Sequence, residues 1–493
     1  MVPHLSILVN YQLDVLNMKR FSLYSSMLLC AALIFNSCSK DSGGTPNPEP
    51  EPPVSTGLAF PKKEMRAAWF ATVWELDWPG VRGEAAQKQK YREMLDRLQE
   101  LKFNTVIFQV KGMADAFYNS SYEPWSAAIS GTRGVDPGYD VLKFLIDETH
   151  ARRIEFHAWM NPYRISTSLS VPLPSTIPAA WTIDMPAMRI YNPAMPEVRQ
   201  RLSDIVKDLI TKYPVDGIHF DDYFYPSGFS YNDDADYAKY GTGYANKNDF
   251  RRGNVEKAIE AVYNTIKATK PEVVFSVSPA ASRSYNFNTM FADLPKWTSA
   301  GWVDILMPQL YQEIGNSSNP FERNLADWTQ FRGKSQVVIG HGFYKFGDKA
   351  QSAAFQDVNE LIKQFELVAK NKYAVGSAMY SAKYIMENKI GITDKLKELY
   401  AHNVVMPFAG REVAAPAAVP GNVKINGNEL SWTAASGNVR SVVYHFSDLK
   451  AVGKVVAVTT DSKLNVTAAG HYCVTSLNVD NLESKPTNTV EKK

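Results

Sequence analysis

The chain has 493 residues, 45% of them hydrophobic, 21% charged and 12% aromatic, with a formal net charge of +2. That length accommodates two or more domains, and the composition is that of a globular protein rather than a disordered or fibrous one. A near-neutral balance gives no electrostatic argument for nucleic acid as a partner, whereas ten Trp, 25 Tyr and 24 Phe are ample for a cleft that stacks ring faces on sugars.

The chain opens on a segment that does not belong to a fold. Residues 18–38 read MKRFSLYSSMLLCAALIFNSC: a basic Lys19-Arg20 head, an apolar run of secretory length, then small Ser37 before Cys38. This resembles a bacterial lipoprotein signal, with Met18 as the true start, residues 1–38 as the leader and Cys38 as the lipidated first residue of the mature protein. Phe35-Asn36-Ser37 is a loose lipobox similar to the relaxed form of Bacteroidetes. The competing reading, a short transmembrane anchor, asks for a longer apolar run. Both readings put the protein outside the cytoplasm and tethered by its N-terminus to a membrane of the cell envelope. Residues 39–61 are rich in Pro, Gly, Ser and Glu, a composition that cannot bury enough surface to fold and serves as a spacer. Once Cys30 leaves with the signal and Cys38 is modified, Cys473 stands alone, so neither a disulfide framework nor a thiolate metal site is expected.

From residue 62 to 405 short apolar segments alternate with amphipathic ones. The apolar segments number eight: 65–72, 103–110, 153–160, 216–223, 273–279, 303–311, 336–343 and 374–381. Stretches such as EAAQKQKYREMLDRLQEL and PEVRQRLSDIVKDLITKY lie between them with helical periodicity. The pattern predicts an α/β fold, a closed parallel (β/α)8 TIM barrel. A doubly wound open sheet is the alternative, but no Gly-rich nucleotide turn follows the first strand. Residues 406–417 read as a Pro/Ala linker, and residues 418–493 carry short alternating strands broken by Gly, Asn and Ser. That predicts a small all-β sandwich, whose LSW and HYCVTSL segments resemble fibronectin type III domains. Its Trp432 is expected in the core rather than on a sugar-binding platform.

In such a barrel chemistry gathers at the C-terminal ends of the strands. Strand one runs into Trp74 and Glu75; strand two into Gln109 and Asp115; strand three into His157, Asn161, Tyr163 and Arg164; strand four into Asp221, Asp222 and Tyr223; strand six into Gln309, Tyr311 and Glu313. His341 and Tyr380 end strands seven and eight. At the opposite ends Asn104, Asp216 and Asp304 read as structural. In the stretch GIHFDDYFYP (217–226), Ile218 and Phe220 suit the helix layer, so alternation sends His219 and Asp221 inward and leaves Asp222 at the lip or re-aimed by a bulge. Tyr223 and Tyr225 are expected where a sugar would stack.

Carboxylates, amides and aromatics without thiols, P-loop or serine-nucleophile motif suit glycoside hydrolysis, where one carboxyl protonates the leaving oxygen and another attacks the anomeric carbon or activates water. No cofactor and no metal are expected. A metal-dependent hydrolase or deacetylase with His157, Asp221 and His341 as ligands is the competing enzyme class, and it lacks a local motif such as HExxH. A lipoprotein that binds a glycan without cutting it is the non-enzymatic alternative.

The runs EMRAAWFATV, FNTVIFQVKGMADAFYNSSYEPWS, FHAWMNPYR, VDGIHFDDYFYP and VDILMPQLYQEIGN together resemble the glycosyl-hydrolase-like 10 family over about residues 62–400. The resemblance implies a barrel related to retaining glycosidases and a cell-envelope hydrolase acting on glycan strands of peptidoglycan, in particular strands stripped of stem peptides. It also implies a nucleophile at the end of strand four and an acid near the end of strand six, which selects Asp221 or Asp222 and Glu313. The other candidates, Trp74, Glu75, Gln109, Asp115, His157, Asn161, Tyr163, Arg164, Tyr223, Gln309, Tyr311, His341 and Tyr380, are expected to bind substrate. The linkage cut, the membrane concerned and the oligomeric state do not follow from the sequence.

Overall fold

The computed structural model describes residues 57–407, 415–437, 439–478 and 481–493. The expected signal, Cys38 and the spacer up to Thr56 lie outside the described residues. Among the described residues no helix is long and apolar enough to cross a membrane.

All eight expected strands form, as β1 (Met65–Phe70), β2 (Thr105–Lys111), β3 (Glu155–Met160), β4 (Gly217–Phe220), β5 (Val274–Val277), β6 (Ile305–Leu306), β7 (Gln336–Gly342) and β8 (Ala374–Tyr380). They pair in parallel in chain order, and β1 closes on β8 through Met65↔Gly376. The strands are buried on both faces. Ala68, Phe70, Val106, Phe108, Phe156, Ile218, Phe220 and Phe275 point outward into the helix layer. Ala67, Trp69, Ile107, Trp159, Val274, Ile305 and Val338 point inward. Helices α1 (Glu84–Glu100), α2 (Val141–Ala151), α3 (Pro196–Lys212), α4 (Lys247–Thr269), α5 (Leu294–Ala300), α6 (Phe321–Gln330), α7 (Asn359–Lys370) and α8 (Ala382–Glu387) run between and after the strands. Several begin on side-chain caps: Asp140, Asn246 and Asp293 each accept the N–H three residues on.

The N-terminal rim is tied by a repeated device. Asn104 Oδ1 accepts the N–H of Arg66 at 2.8 Å, Asp216 Oδ2 that of Phe156 at 2.7 Å and Asp304 Oδ2 that of Phe275 at 2.8 Å. Each residue precedes one strand and holds the start of its neighbour, the structural role expected of these three.

Strand β6 is two residues long because Pro308 follows Met307 and has no N–H to continue the ladder. The chain stays in line, and Gln309 makes isolated bridges to Ala280 and Gly340 beyond the strand ends. One excursion has no counterpart in the sequence pattern. After β3 a three-stranded antiparallel sheet forms from Arg164–Ser166, Thr182–Met185 and Met188–Tyr191, at the C-terminal side of the barrel.

The C-terminal region is all-β. A three-stranded antiparallel sheet (Gly421–Asn426, Glu429–Thr433, Lys463–Asn465) and a four-stranded one (Lys454–Thr459, Arg440–Phe446, Gly470–Leu477, Val490–Lys492) share a core of Leu430, Trp432, Val443, Tyr472 and Val474. Trp432 is buried there and donates its indole N–H to Ser441 Oγ at 2.9 Å. The other face of the four-stranded sheet packs Val442, Tyr444, Phe446 and buried Cys473 against Leu58, Phe60 and Val405. Thus Leu58–Phe60, expected within the spacer, and Met406, expected at the start of the linker, are both held. Met406 enters the barrel interior beside Met65 and Ile107, and Glu64 donates its N–H to Val405 O at 2.9 Å. Arg153 Nη1 reaches Val458 O at 3.0 Å, and Asn481 donates to Glu155 at 2.9 Å. The barrel's N-terminal end is therefore a floor resting on the four-stranded sheet, while its C-terminal end is the opposite face.

Candidate active site

Below the mouth, Trp69 and Trp159 flank His219 in the barrel interior. The Trp69 indole N–H lies 3.2 Å from His219 Nε2, and Ser276 and Ser278 hydroxyls lie 2.8 and 3.0 Å from Nδ1 and Nε2. An indole only donates, so Nε2 is the acceptor and the ring proton sits on Nδ1 facing Ser276. Burial pushes the His219 pKa well below the ordinary range, which keeps the ring neutral. Lower still, His157 has its Nε2 3.2 Å from Glu155. A Cβ on Gly217 would stand 2.6 Å from His157 Nδ1, so the glycine opening GIHFDDYFYP makes room for that ring.

Asp221 stands above this layer, 3% exposed. Its carboxylate accepts the Trp159 indole N–H at 3.0 Å, the Asn161 amide at 3.2 and 3.3 Å and the Tyr223 backbone N–H at 3.4 Å. Asn161 is itself oriented, because its Oδ1 accepts the N–H groups of Tyr163 and Arg164 at 3.2 and 2.8 Å. Burial raises the Asp221 pKa; the nearby Arg164 guanidinium and these donors oppose the rise. Asp222, next along, is pushed up to about 7, first by burial and then by the charge of Asp221, while a hydrogen bond from Gln309 opposes it. Two adjacent carboxyls are thus set apart: one wrapped by donors, the other holding its proton near neutral pH.

Around the pair stand the remaining mouth residues. Arg164 donates Nε to Gly112 O at 3.0 Å and lies 4.6 Å over the ring of Tyr223, which is 45% exposed. Gln309 donates to Ser278 O at 2.9 Å. Tyr311 stacks on Tyr380 with ring centres 5.8 Å apart, and Tyr380 meets Trp69 edge-on at 6.3 Å. The structure therefore brings Asp221, Asp222, Asn161, Arg164, Tyr223, Gln309, Tyr311 and Tyr380 together.

Other candidates lie elsewhere. His341 points away from the mouth into the helix layer, between Phe321 and Phe365, with its nitrogens 2.9 Å from Gln364 and 3.1 Å from Ser377. Tyr163 and Tyr225 are also buried in the helix layer. Because β4 ends at Phe220, the strand alternation no longer applies to Tyr225, whose ring packs on Phe229 and Phe291. His157 is inward as its parity requires, but two layers down and tied to the floor. His157, Asp221 and His341 accordingly occupy three separate environments, and no cluster that could hold a metal occurs among the described residues.

Gln109 spends its Oε1 on the N–H groups of Thr72 and Val73, at 3.0 and 2.9 Å, and so shapes the turn after β1. Trp74, on that turn, is 73% exposed on the lip, and Glu75 pairs with Arg82. Asp115 is partly buried and faces the buried Lys111 ammonium. Glu313 accepts from Asn316 Nδ2 at 3.2 Å and neighbours Lys345; no hydrogen bond or ion pair joins it to either aspartate among the described residues. Missed in the sequence were Trp69 and Tyr344, while Lys111 stood at the end of strand two without a role. Lys111 is 1% exposed, with Nζ 3.4 Å from Asn161 O; Tyr344 meets Tyr311 and Tyr380 edge-on. The alternation Ala67–Trp69–Ala71 carried a signal for Trp69, and the aromatic run GFYKF after β7 carried one for Tyr344.

Comparison with known proteins agrees with this architecture. The chain is similar to the glycosyl hydrolase YngK of Bacillus subtilis (strain 168), 35% identical over 376 residues that cover 70% of this chain and 73% of that one. It is also similar to the glycosyl hydrolase DigH of Escherichia coli (strain K12), 33% identical over 408 residues, 73% of this chain and 92% of that one. Among solved structures, the PgaB (BpsB) glycoside hydrolase domain from Bordetella bronchiseptica superposes with a TM-score of 0.47 at 12% identity, over 69% of this chain and 99% of that one, a likeness too loose to carry an argument. Residues 64–357 match the family described as glycosyl hydrolase-like 10, and with the closed barrel and its acidic mouth the chain belongs to that family.

Proposed function

We propose that this protein is a glycoside hydrolase that cuts a glycan chain, with peptidoglycan strands as its substrate, through two carboxyl groups and with retention of configuration. The observation that carries the reading is the pair at the end of β4. Asp221 is held by the Trp159, Asn161 and Tyr223 donors at the centre of the mouth, and Asp222 retains its proton to about pH 7. In this reading Asp221 attacks the anomeric carbon and Asp222 protonates the leaving oxygen, then takes a proton from water in the second step. Asn161, Arg164, Gln309 and Tyr223 hold the sugar between them. We assign the acid role to Asp222 rather than to Glu313 because Asp222 adjoins Asp221 in the mouth and keeps its proton near neutral pH, whereas Glu313 accepts from Asn316.

Product analysis after incubation with peptide-free peptidoglycan strands tests the activity; binding without fragments would return the protein to the glycan-binding class. Leaving groups assign the roles. With a nitrophenyl glycoside, whose departure needs little acid help, Asp222→Asn should recover most of its loss in kcat/KM while kcat stays limited by the second step, whereas Asp221→Asn should stay at least about a thousandfold down in both. The same recovery in Glu313→Gln instead would hand the acid role to Glu313. We further propose that Cys38 carries the lipid anchor and holds the enzyme in the cell envelope. Cys38→Ala should then shift the protein from the membrane to the soluble envelope fraction.

A further inference from the structure

The mouth is asymmetric. On the side of β6, β7 and β8, four tyrosines form an unbroken run. Tyr311 stacks on Tyr380 at 5.8 Å; Tyr344 stands edge-on to both, at 5.9 and 6.1 Å; and Tyr384, on α8, lies 6.2 Å beyond Tyr344. Tyr311 follows Gln309 at the mouth, where Asp222 acts on it, and Tyr384 at the other end of the run packs on the helix layer. All four rings are half-buried, neither sealed in the core nor splayed into solvent.

Their hydroxyls are the unusual part. In the helix layer Tyr91 spends its hydroxyl on Thr149, Tyr191 on Glu123 and Tyr213 on Asp140. Tyr118, Tyr163 and Tyr400 lack a partner but lie sealed where no ligand reaches. None of Tyr311, Tyr344, Tyr380 and Tyr384 hydrogen-bonds through its hydroxyl to another described residue, although the four adjoin one another at the mouth. A tyrosine offers an apolar face and a polar tip. Four of them in a row, spaced on the scale of one sugar residue of a chain and with unspent hydroxyls, fit a ligand that alternates C–H faces with hydroxyl edges. Lys383 and Lys389 flank Tyr384, 5.7 and 5.6 Å from its ring, and share Glu387 as their ion-pair partner.

We infer that the β6–β8 wall is a run of sugar subsites, in which Tyr344 and Tyr384 bind pyranose units of the same chain progressively farther from the bond at Asp221 and Asp222. For its reaction this rests on the glycosidase reading; for binding it does not. The protein therefore reads several consecutive sugars rather than one, and longer chains bind better than short ones.

Binding by the full-length Asp221→Asn protein to two-, four- and six-sugar fragments of peptide-free peptidoglycan, and to chitin oligosaccharides of the same lengths, tests it by calorimetry. The preference for six-sugar over two-sugar fragments should shrink by about three- to tenfold in Tyr384→Ala, the scale of one lost aromatic face. Tyr384→Phe, which keeps the ring and loses the hydroxyl, should fall between. Tyr344→Ala should already weaken four-sugar fragments. Thermal midpoints serve as the folding control. A length preference unchanged in both alanine variants, or no binding to any of these fragments, overturns the inference. Tyr384-dependent binding by a wild-type protein that releases no fragments sinks the glycosidase reading and leaves the subsites standing.

Discussion

Asp222 titrates near 7 in the folded chain and near 3.9 once unfolded. Between those values the unfolded state has released a proton that the folded state still holds, so stability falls as pH rises through that window and stays lowered above it. Asparagine cannot ionise. Asp222→Asn should therefore unfold like wild type at pH 4 and be more stable by about 1–3 kcal/mol at pH 8, in denaturant titrations at the two pH values. A gain of equal size at both would show that Asp222 is not strained by its surroundings. His341 makes the opposite case. Burial lowers its pKa to about 4, and its contacts are Gln364, Ser377, Phe321 and Phe365. His341→Ala should cost about 2–4 kcal/mol of stability with KM for the glycan unmoved. The sequence made Asp221 legible and His341 not for one reason. In GIHFDDY a polar residue alternates with apolar ones, whereas VVIGHGF is apolar on both faces and carries no alternation to read.

Among elements, the strands were legible because each is a short β-rich run followed by a helical one, and all eight appear where the periodicity placed them. Their ends were less so. Pro308 cut β6 to two residues, and the small sheet after Asn161 hid in a segment whose three short strands alternate too briefly to stand out. That sheet matters to the mouth, because its first residue is Arg164 and Tyr191 packs near Lys111 behind Asn161. The rim device at the other ends of the strands offers a clean separation of stability from chemistry. Asp304→Ala leaves the buried Phe275 N–H without its acceptor and should cost about 1–3 kcal/mol, while Asp304→Asn keeps an acceptor and should cost less. Both variants should retain wild-type kcat, and a large fall in kcat would mean that the rim and the mouth are mechanically coupled.

At the scale of the whole molecule the barrel and the β-sheets behave as one stack. Met406 fills the barrel interior from below, and Glu155, itself hydrogen-bonded to His157, accepts from Asn481 of the β-region. Burial alone would raise the Glu155 pKa, but His157, Asn481 and Arg440 outweigh it and hold it at about 2. The sign is that of a depressed acid: the stabilisation is present above the unfolded pKa near 4.3 and is lost as pH falls toward 2. Asn481→Ala should thus cost more stability at pH 7 than near pH 2, in melts across that range, the remainder being its lost bond from Arg440. A chain ending at residue 400 would uncover the floor around Met65 and Ile107, and we expect it to melt at a lower temperature than the full chain or to aggregate.

The β-bridge between Ala59 and Val452 places the first described residues against the C-terminal sheets, on the side away from the aspartates. Force applied from upstream of Gly57 is therefore taken up by the floor and its supporting sheet, and none of it crosses the catalytic face.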